Sequence, residues 1–98
     1  MLDFETAKKI VEEQINLSYT ADGDELVVLE DETIQKEYGW IFFYTSRRFI
    51  ETGDLNHMVV GNAPIIVNRR TGSLTWLGTA EPLENYVRRY EKSMMSDA

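Results

Sequence analysis

His57 is the single histidine of this 98-residue chain, so it is the one side chain whose ordinary pKa lies near neutrality. A serine–histidine–aspartate arrangement would need a serine on a strained elbow, and no Gly-x-Ser-x-Gly run accompanies it. A lone histidine in a polar loop is expected at the surface or in a local cap. Zinc needs three or four ligands from histidine, cysteine and carboxylates, and the chain has one histidine and no cysteine. A phosphate-binding loop needs Gly-x-x-x-x-Gly-Lys followed by serine or threonine, which is absent. Gly61, Gly72 and Gly78 therefore read as turn punctuation. No acid, base and nucleophile assemble, so no enzyme activity, cofactor or metal is expected.

Charge offers a different chemistry. Asp and Glu number 17 against 10 Lys and Arg, a net charge of −7. Such a surface repels phosphate backbones, which argues against direct nucleic-acid binding. It attracts a basic protein and speeds the encounter, although solubility alone also explains an acidic balance. Asp22, Asp24, Glu30, Asp31, Glu32 and Glu37 concentrate around the first expected strand. Three readings are open for them. A calcium site lacks the EF-hand pattern and a flanking helix pair. A contact surface for a basic partner and a solvated strand edge both remain. The pairs Arg47-Arg48, Arg69-Arg70 and Arg88-Arg89 could hold an anion if they converged, or could balance nearby acids. Trp76 could be a half-exposed contact residue, while packing under a helix is the expected fate of a tryptophan.

Elements must position these groups. Phe4, Ala7, Ile10, Val11 and Ile15 form one apolar stripe at helical spacing, capped by Asp3 and fading by residues 16–18. Lys8, Lys9, Glu12 and Glu13 face away. "ADGD" is a turn and "LVVL" a first strand. In "ETIQKEYGWIFFYTS", Trp40, Phe42 and Tyr44 alternate with Ile41, Phe43 and Thr45, so both faces carry bulk and the strand is central. Gly39 marks a bulge or a close backbone approach. "RRFIETGDLNHMVVGNAP" reads as a long ordered connection, with a turn at "TGD" and one helical turn capped by Asp54. Leu55, Met58 and Val59 would tuck it onto the core. Pro64 opens the strand "IIVN", Gly72 takes positive φ in the turn, and "SLTWLG" returns as a hairpin over residues 65–77. A final helix, with Thr79 as cap and Pro82 in its first turn, carries Leu83, Tyr86, Val87, Tyr90 and Met94 on one face. The order predicts one α+β domain over residues 1–98: an N-terminal helix, an antiparallel sheet of about four strands and a C-terminal helix. Both helices are expected on one sheet face, with the last few residues frayed.

The ordered set Gly39-Trp40, Glu51-Thr52-Gly53-Asp54, Gly61-Asn62-Ala63-Pro64 and Leu77-Gly78-Thr79, running through Pro82-Leu83 into a tyrosine-rich helix, resembles the YrhB domain. That domain is also described as the immunity protein 35 family of bacterial polymorphic-toxin systems. The resemblance runs from about Gly39 to Glu91. It implies a small non-enzymatic α+β protein that binds and neutralises a cognate toxin; a stress-linked, chaperone-like role is also attached to the family. The matched residues, Gly72 of the hairpin turn among them, are turn formers and core aromatics, so they speak for fold more than for function. The expected partner is a protein, a basic toxin domain, with neither nucleic acid nor membrane. No apolar run approaches the roughly 20 residues a bilayer crossing needs, no signal peptide is expected from the opening "MLDFETAKK", and the lack of cysteine fits an expected cytoplasmic location.

Overall fold

The computed structural model describes residues 1–17, 19, 23–54 and 63–96. The expectations placed on His57, Leu55, Met58, Val59, Gly61, Asn62 and Asp22 lie outside the described residues. Helix α1 spans Phe4–Asn16, and the Asp3 carboxylate accepts from the Thr6 N–H at 2.8 Å. A capped start and a one-sided apolar stripe suffice for this helix, which buries Ala7, Val11 and Ile15.

Among the described residues, six strands form two antiparallel sheets. Strands β2 (Ile34–Lys36), β3 (Gly39–Phe42), β5 (Ile65–Asn68) and β6 (Leu74–Trp76) make one, in the order β2-β3-β5-β6. Strands β1 (Leu26–Val28) and β4 (Tyr44–Ser46) make the other. The expected central strand is therefore two. It changes partner at Phe43, from β5 to β1, and the Phe43 carbonyl accepts from Leu29 N–H at 2.8 Å. The turn at Glu37–Tyr38 joining β2 to β3 went unforeseen, because it contains none of the Asn-Gly or Asp-Gly signals of a tight hairpin.

The expectation that both helices share one sheet face is corrected. Trp40, Phe42, Ile65 and Val67 pack with α1, whereas Ile41 and Ile66 pack with Leu83, Tyr86, Val87 and Tyr90. The latter four belong to α3, which spans Leu83–Ser96. Successive strand residues point to opposite faces. A central pair that is apolar at every position therefore needs a cover on each side, and the two helices supply one each. Ile41, Phe42, Ile65, Ile66 and Val67 are fully buried, each contributing about 1.5–3 kcal/mol by leaving water.

Two local expectations also change. Residues Arg47–Thr52 form a helix, α2, rather than irregular connection. Ser46 Oγ caps it by accepting from Phe49 N–H, and Gly53 ends it at φ +68. Asp54 follows as an exposed residue. Thr79 does not cap α3, which begins four residues later. Instead the N–H groups of Ala80 and Glu81 donate to Tyr86 Oη at 3.1 and 3.2 Å. A side chain at Gly78 would strike that same hydroxyl, at 2.5 Å. The hairpin of β5 and β6 follows the expected plan, with Gly72 at φ +75 and the Pro64 carbonyl accepting from Leu77 N–H.

Gly39 and Gly53 give a contrasting pair of predictions. A Cβ at Gly39 would lie 1.8 Å from the Val67 carbonyl oxygen, so the β3–β5 pairing must open to admit it. Gly39→Ala is expected to lose about 3 kcal/mol or more in urea unfolding, or not to fold. A Cβ at Gly53 meets nothing within 4 Å, so Gly53→Ala is expected to cost only the left-handed backbone, about 1–2 kcal/mol. Equal losses would show that the β3–β5 approach is looser than described.

Candidate partner-binding surface

The acidic residues do not act as one group. Asp24 turns inward. Its Oδ1 accepts from the N–H groups of Glu25 and Arg48, and its Oδ2 from Tyr19 Oη and Ser46 Oγ. These four bonds tie the chain before β1 to the start of α2 and steady the Ser46 cap. Burial works against ionisation here, but the bonds outweigh it and hold the Asp24 carboxyl well below the usual range. Asp24 is thus a structural clamp, partly buried by the groups it holds.

Glu30, Asp31 and Glu32 form a single exposed 3-10 turn, Glu30–Glu32, between β1 and β2. It lies beside α1, where Lys8 Nζ sits 2.6 Å from Glu30 Oε1. The Glu30 carboxylate, by that hydrogen bond ahead of other causes, raises the Lys8 pKa. Exposed pairs of this kind contribute about 0.2–1 kcal/mol, so a competing cation can displace Lys8. Lys8, Val28, Leu29 and the three acids of the turn line an open hollow of about 510 Å³.

A second hollow, also about 510 Å³, is lined by Lys9, Glu12, Glu13, Asn16, Tyr19, Asp24 and Glu25. Together the two contain seven carboxylates and two lysines. The acidic surface thus runs along α1 and includes Glu12, Glu13 and Glu25, which the sequence reading left out. The signal was present: Glu12 and Glu13 lie off the apolar stripe of α1, and Glu25 follows Asp24 directly. Glu37 stands apart, exposed on the β2–β3 turn, and lines neither hollow. Among the described residues, no group of three or more histidine, cysteine, aspartate or glutamate residues could hold a metal ion.

Two α1 side chains also finish the sheet. Asn16 mimics a strand neighbour: its Oδ1 accepts from Leu26 N–H and its Nδ2 donates to the Leu26 carbonyl, at 2.8 and 2.9 Å. Glu12 Oε2 accepts from Val28 N–H at 3.1 Å. Glu12 therefore has a structural bond as well as its place on the acidic surface.

The arginines take local roles. Arg47 pairs with Glu25 at 2.9 Å and Glu51 at 3.5 Å, and Arg89 pairs with Glu81. The guanidinium of Arg69 lies over the Trp40 ring, 4.8 Å from its centroid, and donates to the Lys36 carbonyl. Arg88 is exposed on α3, as is Arg89, in line with the outer face expected of them. Trp76 departs from its expected burial. It pairs with Ile65 on an edge strand beyond the cover of α1 and is 52% exposed.

Of the motif residues, Gly39, Trp40, Gly53, Pro64, Gly72 and Gly78 serve strand pairing, core or turns. Asp54, Thr79 and Pro82 are exposed.

The Asp24 clamp predicts a pH dependence. A carboxyl held below its unfolded value stabilises the fold above that unfolded value, about 4. Its contribution falls as pH drops from there through the lowered folded value. Asp24→Asn should therefore shift the urea midpoint down at pH 7, and the gap from wild type should narrow as pH falls below about 4. A gap that is constant with pH would contradict the clamp.

Comparison with known proteins places this geometry. The family model described as Immunity protein 35 matches residues 5–89. The chain is 41% identical over 75 residues to a protein named "Uncharacterized protein YrhB" of Escherichia coli (strain K12), covering 74% of this chain and 77% of that one. No solved structure matches. The family match reaches back through α1, β1 and the acidic turn, beyond the segment whose motifs are legible by eye. The chain belongs to the Immunity protein 35 family.

Proposed function

We propose that this protein is a non-enzymatic immunity protein that binds a cognate toxin domain in the cytoplasm and holds it inactive. The family match over residues 5–89 carries this reading. The acidic surface along α1 and the turn Glu30–Glu32 supports a basic toxin as partner, because clustered charge of one sign raises the encounter rate of its opposite. A basic nuclease would fit, its phosphate-binding cleft covered by carboxylates.

A chaperone-like reading has less support. A holdase needs a contiguous exposed apolar patch. Among the described residues, the large exposed apolar side chains are Met1, Leu17, Ile34, Ile50, Trp76 and Met95; they belong to different elements or to the N-terminus, with Ile34 and Trp76 on opposite edges of the sheet. Among the described residues, no helix is long and apolar enough to cross a membrane.

Tagged protein recovered from the bacterium that encodes it should retain one stoichiometric partner. That partner, expressed alone, should arrest growth, and co-expression of this chain should restore it. A partner that causes no arrest, or arrest that the chain does not relieve, would contradict the immunity reading. With that partner in hand, the variant E30K/D31K/E32K should associate about tenfold more slowly at low salt and show a flatter salt dependence. Unchanged association kinetics would remove the acidic turn from the interface.

A further inference from the structure

Among the described residues, the four-stranded sheet ends at β6 and no further strand pairs with that edge. Ile66 pairs with Thr75, and the flanking bonds run from Asn68 N–H to the Ser73 carbonyl and from Leu77 N–H to the Pro64 carbonyl. Alternation along an antiparallel ladder then turns the N–H and C=O groups of Leu74 and Trp76 away from β5. Among the described residues these four groups meet no backbone partner.

Two other edges, those of β1 and β2, are managed. Asn16 and Glu12 occupy the outer edge of β1. Strand β2 contains Lys36 and is flanked by Glu32 and Glu37, charges that deter pairing. By contrast, residues 71–80 contain no charge and no proline. An edge without such guards is a template for strand addition. Trp76 stands at this edge, on the same sheet face as Ile65 and 52% exposed, where a pairing strand would cover it.

The occupant is not a second copy. Each copy has a net charge of −7, so two copies repel. Pairing two three-residue strands also buries far less than the roughly 800 Å² per partner typical of a stable interface. A basic partner is attracted instead, and one that touches other parts of the surface does not depend on this edge for its area. We infer that β6 accepts an extended strand from a partner protein of net positive charge. That strand bonds to the backbone of Leu74 and Trp76 and lays one side chain on the Trp76 ring. The identity of the partner as a toxin rests on the immunity reading; the chemistry of the edge does not.

The test is an NMR titration of the full chain with the acetylated, amidated peptide Lys-Thr-Val-Thr-Val-Thr-Lys, which is basic and β-forming. Saturable shifts are expected at the amides of Leu74 and Trp76 and at the Trp76 indole. Methylating every second peptide nitrogen of the probe should abolish them. Trp76→Lys, with the rest of its spectrum unchanged, should weaken binding at least about tenfold, since it adds an edge charge and removes the ring. Shifts confined elsewhere, equal binding of the methylated peptide, or no saturable shift would overturn the inference. So would a dimer of the free chain whose β6 amides are already protected. Growth rescue is not read in this titration, so failure here leaves the immunity reading standing, and failure of rescue leaves the edge to its own result.

Discussion

Strands β3 and β5 approach so closely at Gly39 that no side chain fits between them, and both strands are apolar on both faces. That pairing sets the terms for everything around it. A strand pair buried on both sides cannot be completed by one helix, so α1 covers Trp40, Phe42, Ile65 and Val67 while α3 covers Ile41 and Ile66. The helices then leave their own outer faces and the rims of the sheet to face other molecules. Candidate contact residues lie outside that buried pair, along α1, on the turn Glu30–Glu32 and at Trp76, while Gly39 and Trp40 lie inside it.

This division explains why family motifs and candidate contacts barely overlap. Gly39, Trp40 and Gly78 are where the backbone or a ring leaves no room for alternatives. Glu30, Asp31 and Glu32 are exposed and structurally undemanding. A scaffold of this kind can present different surface chemistry without disturbing its core. Asp24 is the exception among the acids: it was grouped with the surface by composition, yet it accepts four hydrogen bonds and joins two segments.

Much of the fold was legible because it follows from periodicity. The α1 stripe, the two-faced alternation through residues 40–45 and the hairpin at Gly72 each express a local rule in a few residues. What escaped depended on partners distant in the chain. That Phe43 marks a change of partner is a matter of which strand lies alongside. Helix α2 escaped for a local reason instead: Ser46, the last residue of β4, caps it through Phe49 N–H and leaves no periodic stripe. The opposite placement of the helices is implicit in the two-faced bulk of β3, but element order alone does not say which helix covers which face. For the site, net charge pointed to an acidic surface. It could not say that Glu12, Glu13 and Glu25 join the turn acids along α1, or that Glu37 stands apart.

Native-state amide exchange tests the central claim most directly, because it orders the elements by the free energy needed to open them. The β3–β5 ladder at residues 40–42 and 65–67 should hold the slowest amides, and those amides should be lost together in global unfolding. The β1–β4 pair, α2 and the outward amides of β6 should exchange well before them. Amides of α1 or α3 that stay protected after the β3–β5 ladder has exchanged would contradict the account, since the helices would then not depend on the strands they cover.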